Sequence, residues 1–298
     1  MCAWFVIRKL REKLEQSICD MNYSKYQALG NDYIVIHPAD LKHEINQDMI
    51  RRICHRNYGV GSDGILLGPL PSQTADFGLT IFNPDGSEAE KSGNGLRIFA
   101  RSLVDNGFSS ELAFTVETRG GIVTCTVAAD HKSVKVEMGK VSFDSTKIPV
   151  AGAAREVLNE TIEIDGRSLK FCAATIGNPH CVILSELSLP EVARRYGPKI
   201  ECNPLFPQRT NVQFMQVRDR SNIQIEIWER GAGYTLASGS SSTAAAAVAR
   251  KLELCDSTIT VQNPGGPITI HIDDDYFATM SGSVTKVCDG TIADEIFA

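Results

Sequence analysis

The chain has 298 residues, 43% of them apolar and 22% charged, with a formal net charge of −6. That length and apolar content suit one large domain or two ordinary ones with buried cores. The acidic balance, with no Lys/Arg-rich run or basic–aromatic stripe, argues against nucleic acid as a partner, and no apolar run reaches the ~18 residues of a membrane-spanning helix. Nine cysteines, an odd number with no Cys-x-x-Cys pair, read as reduced thiols of a cytoplasmic protein and give no zinc site, so no metal is expected.

Taken in order, residues 1–20 place Trp4, Ile7, Leu10, Leu14 and Ile18 at helical spacing, with Arg8, Lys9, Arg11, Glu12, Lys13 and Glu15 between them. This predicts an amphipathic N-terminal extension. Its mixed charge speaks against a transit peptide, and an upstream start codon ahead of a body beginning near Met21 explains it equally well. From Tyr23 to Pro38, two strand-like pieces flank Gly30-Asn31-Asp32. Taken alone, Asn31 reads as a turn residue, with ligand binding as the alternative. A helix is predicted over Gln47 to Arg56. The run Gly59-Val60-Gly61-Ser62-Asp63-Gly64 matches the dinucleotide pattern Gly-x-Gly-x-x-Gly, but it follows a helix and precedes the strand Ile65-Leu66-Leu67. That is the reverse of the order a phosphate site needs.

Two stretches then look like copies of one device. Strand-like Leu79 to Phe82 leads through Asn83-Pro84-Asp85-Gly86 to Ser92-Gly93-Asn94-Gly95 and a helix-like run, Leu96 to Val104. Strand-like Ile223 to Trp228 leads through Glu229-Arg230-Gly231-Ala232-Gly233 to Ser238-Gly239-Ser240-Ser241 and a second helix-like run, Ser242 to Leu252. The Ser-Gly pair falls at the same distance from the strand end in both. The first N–H groups of a helix lack partners and its dipole is positive there, so such ends capture anions. One copy reads as an ordinary Ser-capped helix; two in matching register, facing one another, would hold a small carboxylate between them.

Between the devices, strands are expected at 112–118, 122–128 and 133–138 as a meander, and a link between halves at 139–155. Strands follow at 160–164 and 168–176, then Gly177-Asn178-Pro179-His180-Cys181-Val182. Neighbours along a strand point to opposite faces, so His180 and Cys181 are not a base–nucleophile pair. Leu189 to Tyr196 reads as a short helix, and Asn211-Val212-Gln213-Phe214 opens a strand. The helix containing Thr243 to Ala249 is small-residue throughout and should be packed centrally inside sheet. Asn263 to Gly266 is a turn before strand 267–272, Asp273-Asp274-Asp275 a solvated hairpin end, and one last strand is expected near 279–288.

Together these motifs resemble the diaminopimelate epimerase family over most of Met21 to Ala298. They are Leu29 to Tyr33, Gly59 to Gly64, Phe82 to Ser87, Ser92 to Arg97, Gly177 to His180, Asn211-Val212, Glu229 to Leu236 and Ser238 to Ser240. The resemblance implies an α/β fold of two pseudo-symmetric domains, each a curved, mostly antiparallel sheet wrapped round a central helix. The domains would be 21–146, completed by a strand near 285–298, and 147–284. It also implies a ligand cleft between them, no cofactor (pyridoxal phosphate included) and a role in lysine biosynthesis. The ligand would be a small-molecule α-amino acid, and a homodimer is one assembly the family uses. Carried over position by position, Asn31, Asn83, Asn178 and Asn211 would bind the substrate's polar groups. Glu229 and Arg230 would take the ammonium and a carboxylate, Gly93-Asn94 and Gly239-Ser240 would offer N–H groups to the α-carboxylate, and His180 would support.

The departure lies at the two proton-transfer positions, where the family's cysteine pair is replaced by Ser92 and Ser238. A helix N-terminus lowers a cysteine's pKa from about 8.5 toward neutrality, whereas a serine needs an adjacent base. Ser241, Pro84 and Lys91 are further departures from the family's commonest choices. Four readings follow: an isomerase with altered catalytic residues Ser92, Ser238 and Glu229; a divergent enzyme working on the substrate's side chain by elimination or cyclisation; a Cys-to-Ser trapped epimerase; and a non-catalytic amino-acid-binding protein. A proton-shift isomerase using a carboxylate would draw on Glu88, Glu90 or Glu229.

Overall fold

The computed structural model describes residues 21–41, 44–186 and 189–297, so the extension expected over 1–20 lies outside the described residues. Among these, four α-helices accompany strands joined in one 18-stranded sheet. The helices are α1 (Gln47–Cys54), α2 (Gly93–Asp105), α3 (Pro190–Glu201) and α4 (Gly239–Lys251).

One order of elements occurs twice. The hairpin Met21–Ala28 and Asn31–Ile36 is followed by α1, and Ile65–Leu70 then lies parallel to the hairpin's second strand. Phe77–Phe82 turns back antiparallel, Glu88–Ala89 folds against it, α2 follows, and Ala113–Thr118 returns parallel to Phe77–Phe82. The meander Gly121–Val127 and Ser133–Lys140 ends the unit. The second unit runs through the hairpin Arg167–Thr175 and Pro179–Leu184, α3, Asn211–Asp219, Asn222–Glu229, Gly233–Thr235, α4, Thr258–Asn263, Gly266–Ile272 and Phe277–Ser283. Its parallel pairings fall at the corresponding places. The meander ends of the two units pair with each other, Ser133–Lys140 against Phe277–Ser283.

α2 and α4 are the central helices. Leu96, Ile98, Phe99 and Ala100 of α2 are fully buried, as is every residue from Ala244 to Ala249 of α4. The alanine run lets strands approach α4 on all sides, as its composition predicts, and both helices share one core. α1 and α3 pack on the outer faces over separate clusters, Ile50 and Ile53 in one, Ala193, Tyr196 and Ile200 in the other.

Both central helices begin at their Ser-Gly pairs, as the sequence reading has them, with Ser92 and Ser238 as N-caps. Two other boundaries differ from that reading. α3 continues past Gly197-Pro198 to Glu201: buried Ile200 and Glu201 hold its last turn, and Gly197 lies flat on the Trp228 indole, where a Cβ would come 2.5 Å from the ring. The single last strand is two, Phe277–Ser283 and Thr285–Ile292. At Val284 the ladder is interrupted, since its N–H donates to the Lys132 carbonyl at 3.0 Å and its own carbonyl accepts from Arg101. Thr285–Ile292 then leaves the second unit and pairs antiparallel with Met21–Ala28.

Candidate active site

Gly93 and Gly239, the first residues of α2 and α4, meet end to end. A Cβ built on either would lie 3.4 Å from the other's Cα, and Met280 fills the remaining space, its Cε 3.0 Å from a Cβ on Gly93 and its Sδ 2.7 Å from one on Gly239. This approach is what the two glycines make possible. Ser92 and Ser238 cap the helices from extended backbone, their hydroxyls accepting from Gly95 N at 3.0 Å and Ser241 N at 3.3 Å. The N–H groups of Gly93, Asn94, Gly239 and Ser240, at the starts of their helices, have no acceptor inside them. Two positive helix ends therefore converge on one spot.

A polar frame surrounds it. Buried Asn94 donates to Asn31 Oδ1 at 3.0 Å and to the Ala237 carbonyl at 3.2 Å, bridging from the first device to the residue before Ser238. Asn31 in turn donates to Asp63 Oδ2 at 2.9 Å, so both ends of its side-chain amide are engaged within the protein. Asp63 also accepts from the Asp32 N–H and from Arg56, which is the work done by the Gly59–Gly64 loop. On the other side, Gln213 Nε2 donates to His180 Nδ1 at 3.1 Å, and His180 Nε2 lies 3.0 Å from Asn178 Oδ1. The ring thus carries its proton on Nε2. Asn178 then reaches Ser240 Oγ at 3.4 Å. Burial, with the charge of Arg230 adding to it, pushes the pKa of fully buried His180 down to about 3, so it is neutral at physiological pH and acts as a strut.

Each serine has an ionisable neighbour among the described residues. The Tyr33 hydroxyl lies 3.1 Å from Ser92 Oγ; burial raises its pKa to about 12, against the opposing effect of the hydrogen bond with Ser92. At Ser238 the neighbour is Glu229, whose pKa is raised by burial and held back by the hydroxyls of Ser238 and Thr235. Lys91, next to Ser92 in sequence, turns away to donate to the Met138 carbonyl at 3.1 Å. Glu88 and Glu90 are exposed. Asn83 donates to Ser87 Oγ at 3.0 Å inside its own turn. Asn211 accepts from the Arg230 N–H at 2.9 Å and donates to the Pro179 carbonyl at 2.9 Å, and the Arg230 side chain donates to the Gln208 carbonyl at 3.1 Å.

The residues 229–231 are held by α3 as well. Buried Glu201 accepts from Trp228 Nε1 at 2.7 Å, from the Gly231 N–H at 2.9 Å and from Arg209. Glu201, Gln213 and Tyr33 are site neighbours that sequence reasoning missed. Tyr33 carried a usable signal, since it shares a strand face with Asn31. Among the described residues, no group of three or more His, Cys, Asp or Glu side chains is arranged to hold a metal ion.

The sequence model of one family, described as diaminopimelate epimerase, matches residues 23–144 and 172–287. The chain belongs to the diaminopimelate epimerase family. Diaminopimelate epimerase 2 of Nostoc sp. is 63% identical over 278 residues, covering 93% of this chain and 98% of the relative. Diaminopimelate epimerase of Caldanaerobacter subterraneus is 37% identical over 275 residues, covering 91% and 99%. Among solved structures, a hydroxyproline epimerase from Agrobacterium vitis superposes with a TM-score of 0.67 at 17% identity, covering 94% of this chain and 92% of that one, which establishes the shared fold. Membership of the diaminopimelate epimerase family makes this an enzyme of isomerase type. No helix among the described residues is long and apolar enough to cross a membrane.

Proposed function

We propose that the chain binds an α-amino acid between the N-termini of α2 and α4 and carries out cofactor-independent isomerase chemistry at its Cα, with diaminopimelate, the substrate in its relatives' names, as the first compound to test. The observation that carries this reading is the end-to-end meeting of Gly93 and Gly239, with Ser92 and Ser238 beside it. The α-carboxylate takes the N–H groups of Gly93, Asn94, Gly239 and Ser240. Arg230 and Glu229 serve the charged groups of the ligand, and Asn31, Asn83, Asn178 and Asn211 shape the polar wall. The two units are 21–146 with the returning strand, and 147–284, a division supported by the pairing of Thr285–Ile292 with Met21–Ala28.

For proton transfer at Cα, Ser238 Oγ takes the α-proton while its own hydroxyl proton passes to the Glu229 carboxylate. On the opposite face Ser92 delivers a proton to Cα and regains one from Tyr33; after product leaves, Glu229 gives its proton to solvent and Tyr33 takes one up, which restores the pair. The two faces are unequal: a carboxylate with a raised pKa is a usable base, whereas a phenol titrating near 12 is an acid only. That inequality favours a second reading, proton removal on the Glu229 face followed by elimination or cyclisation in the substrate's side chain.

Proton NMR in D₂O with L,L-diaminopimelate tests both. Washout of the α-proton signal supports Cα epimerisation. New side-chain signals accompanying the loss of the α-proton support the second reading. Absence of both, together with no ligand-induced rise in melting temperature, refutes the amino-acid site.

A further inference from the structure

Arg97, in the second turn of α2, is 0% exposed. No carboxylate among the described residues pairs with it. One terminal nitrogen donates to Asn94 Oδ1, the other to the Ser283 carbonyl at 3.4 Å, and Nε is buried without a partner. Burial lowers its pKa to about 10, which still leaves a full positive charge at neutral pH. The guanidinium occupies a slot over Gly282 of the second unit, where a Cβ would come 1.7 Å from Nη1. A neutral side chain of similar length would fill that slot without burying a charge, so a cation lacking its counter-charge calls for a reason.

Its surroundings supply one. By donating to Asn94 Oδ1, Arg97 fixes which way the Asn94 amide faces, directing Nδ2 to Asn31 Oδ1 and the Ala237 carbonyl. One amide therefore connects the guanidinium to the starts of both central helices. The convergent N–H groups and the buried cation carry the same sign and are joined through the Asn94 amide. We infer that Arg97 is a positioning residue whose missing counter-charge is the ligand's own carboxylate: it holds Asn94 and adds its charge behind the paired helix ends. This rests on the proposed reading of those ends as the carboxylate site. A carboxylate ligand completes the pair; a neutral carboxamide of the same shape does not.

The experiment compares the dissociation constants of L,L-diaminopimelate and its α-carboxamide by calorimetry, in the wild type, Arg97→Met and Arg97→Lys. The wild type should prefer the carboxylate. Arg97→Met should reduce that preference about tenfold, the scale of a charge acting at a partly buried helix end, while binding of the carboxamide changes little. Arg97→Lys should retain most of the preference. Equal weakening of both ligands by Arg97→Met would make Arg97 a staple of the seam and overturn the inference, as would an unchanged ratio. A wild type indifferent to the charge would instead overturn the carboxylate site itself. If Arg97→Met does not fold, Arg97→Gln, neutral and able to donate to Asn94, is measured in its place against the same outcomes.

Discussion

His180 offers a direct test of the buried polar frame. It is fully buried and neutral, with Gln213 donating to Nδ1, and its pKa is about 3 in the folded chain against an ordinary value of 6.5. Between those values the unfolded chain binds a proton at this position and the folded chain does not, so stability rises with pH across the window. The contribution is fully present above pH 6.5 and is lost as pH falls toward 3. One pH unit is worth about 1.36 kcal/mol, so between pH 7.5 and 4.5 the loss is about 2.7 kcal/mol. Urea unfolding of the wild type and His180→Gln at several pH values isolates this contribution, because other titrating groups are common to both. Whatever the wild type's advantage at pH 7.5, it should shrink by about 2.7 kcal/mol at pH 4.5, and the variant should become the more stable if its cost at neutral pH is smaller than that. Parallel pH profiles would mean that His180 accepts a proton in the folded state, and its role as a neutral strut would be wrong.

Two further predictions concern packing around the site. Gly282→Ala places a methyl group inside the Arg97 guanidinium, which has no room to withdraw, and should cost about 2–3 kcal/mol in urea unfolding; adding Arg97→Met should recover part of that, and strictly additive effects would deny the contact. Glu201→Gln removes the charge that Arg209 pairs with and turns an amide donor toward either Trp228 Nε1 or the Gly231 N–H. It should lower stability by roughly 1–3 kcal/mol and weaken diaminopimelate binding through Glu229 and Arg230, with calorimetry and thermal melting as the measurements.

Much of the architecture was legible because its signals are local. The strand–turn–Ser-Gly register identified both helix starts, and the alanine run of α4 announced a helix enclosed by sheet. A separate strand near 285–298 came from the resemblance, but the break at Val284 was not legible in the residue pattern, since its causes, Lys132 and Arg101, are distant in sequence. The same holds within the site. Glu229 lies close to Ser238 along the chain and was a candidate from the start, whereas Tyr33 reaches Ser92 only through the fold. Arg97 reads as an ordinary cation on a helix; its burial comes from Gly282 and Ser283 on a strand of the other unit. His180 was given a supporting part by resemblance, but its protonation state depends on Gln213, held beside it by the parallel pairing of Pro179–Leu184 with Asn211–Asp219.

The pairing of Thr285–Ile292 with Met21–Ala28 has a consequence for biosynthesis. During vectorial synthesis the first unit leaves the ribosome with one flank of its opening hairpin unpaired, and the strand that covers it is the last of the described chain to be made. Ser133–Lys140 waits likewise for Phe277–Ser283. The first unit's sheet therefore closes only through pairings of high sequence separation, which slow folding and leave strand edges open until they form.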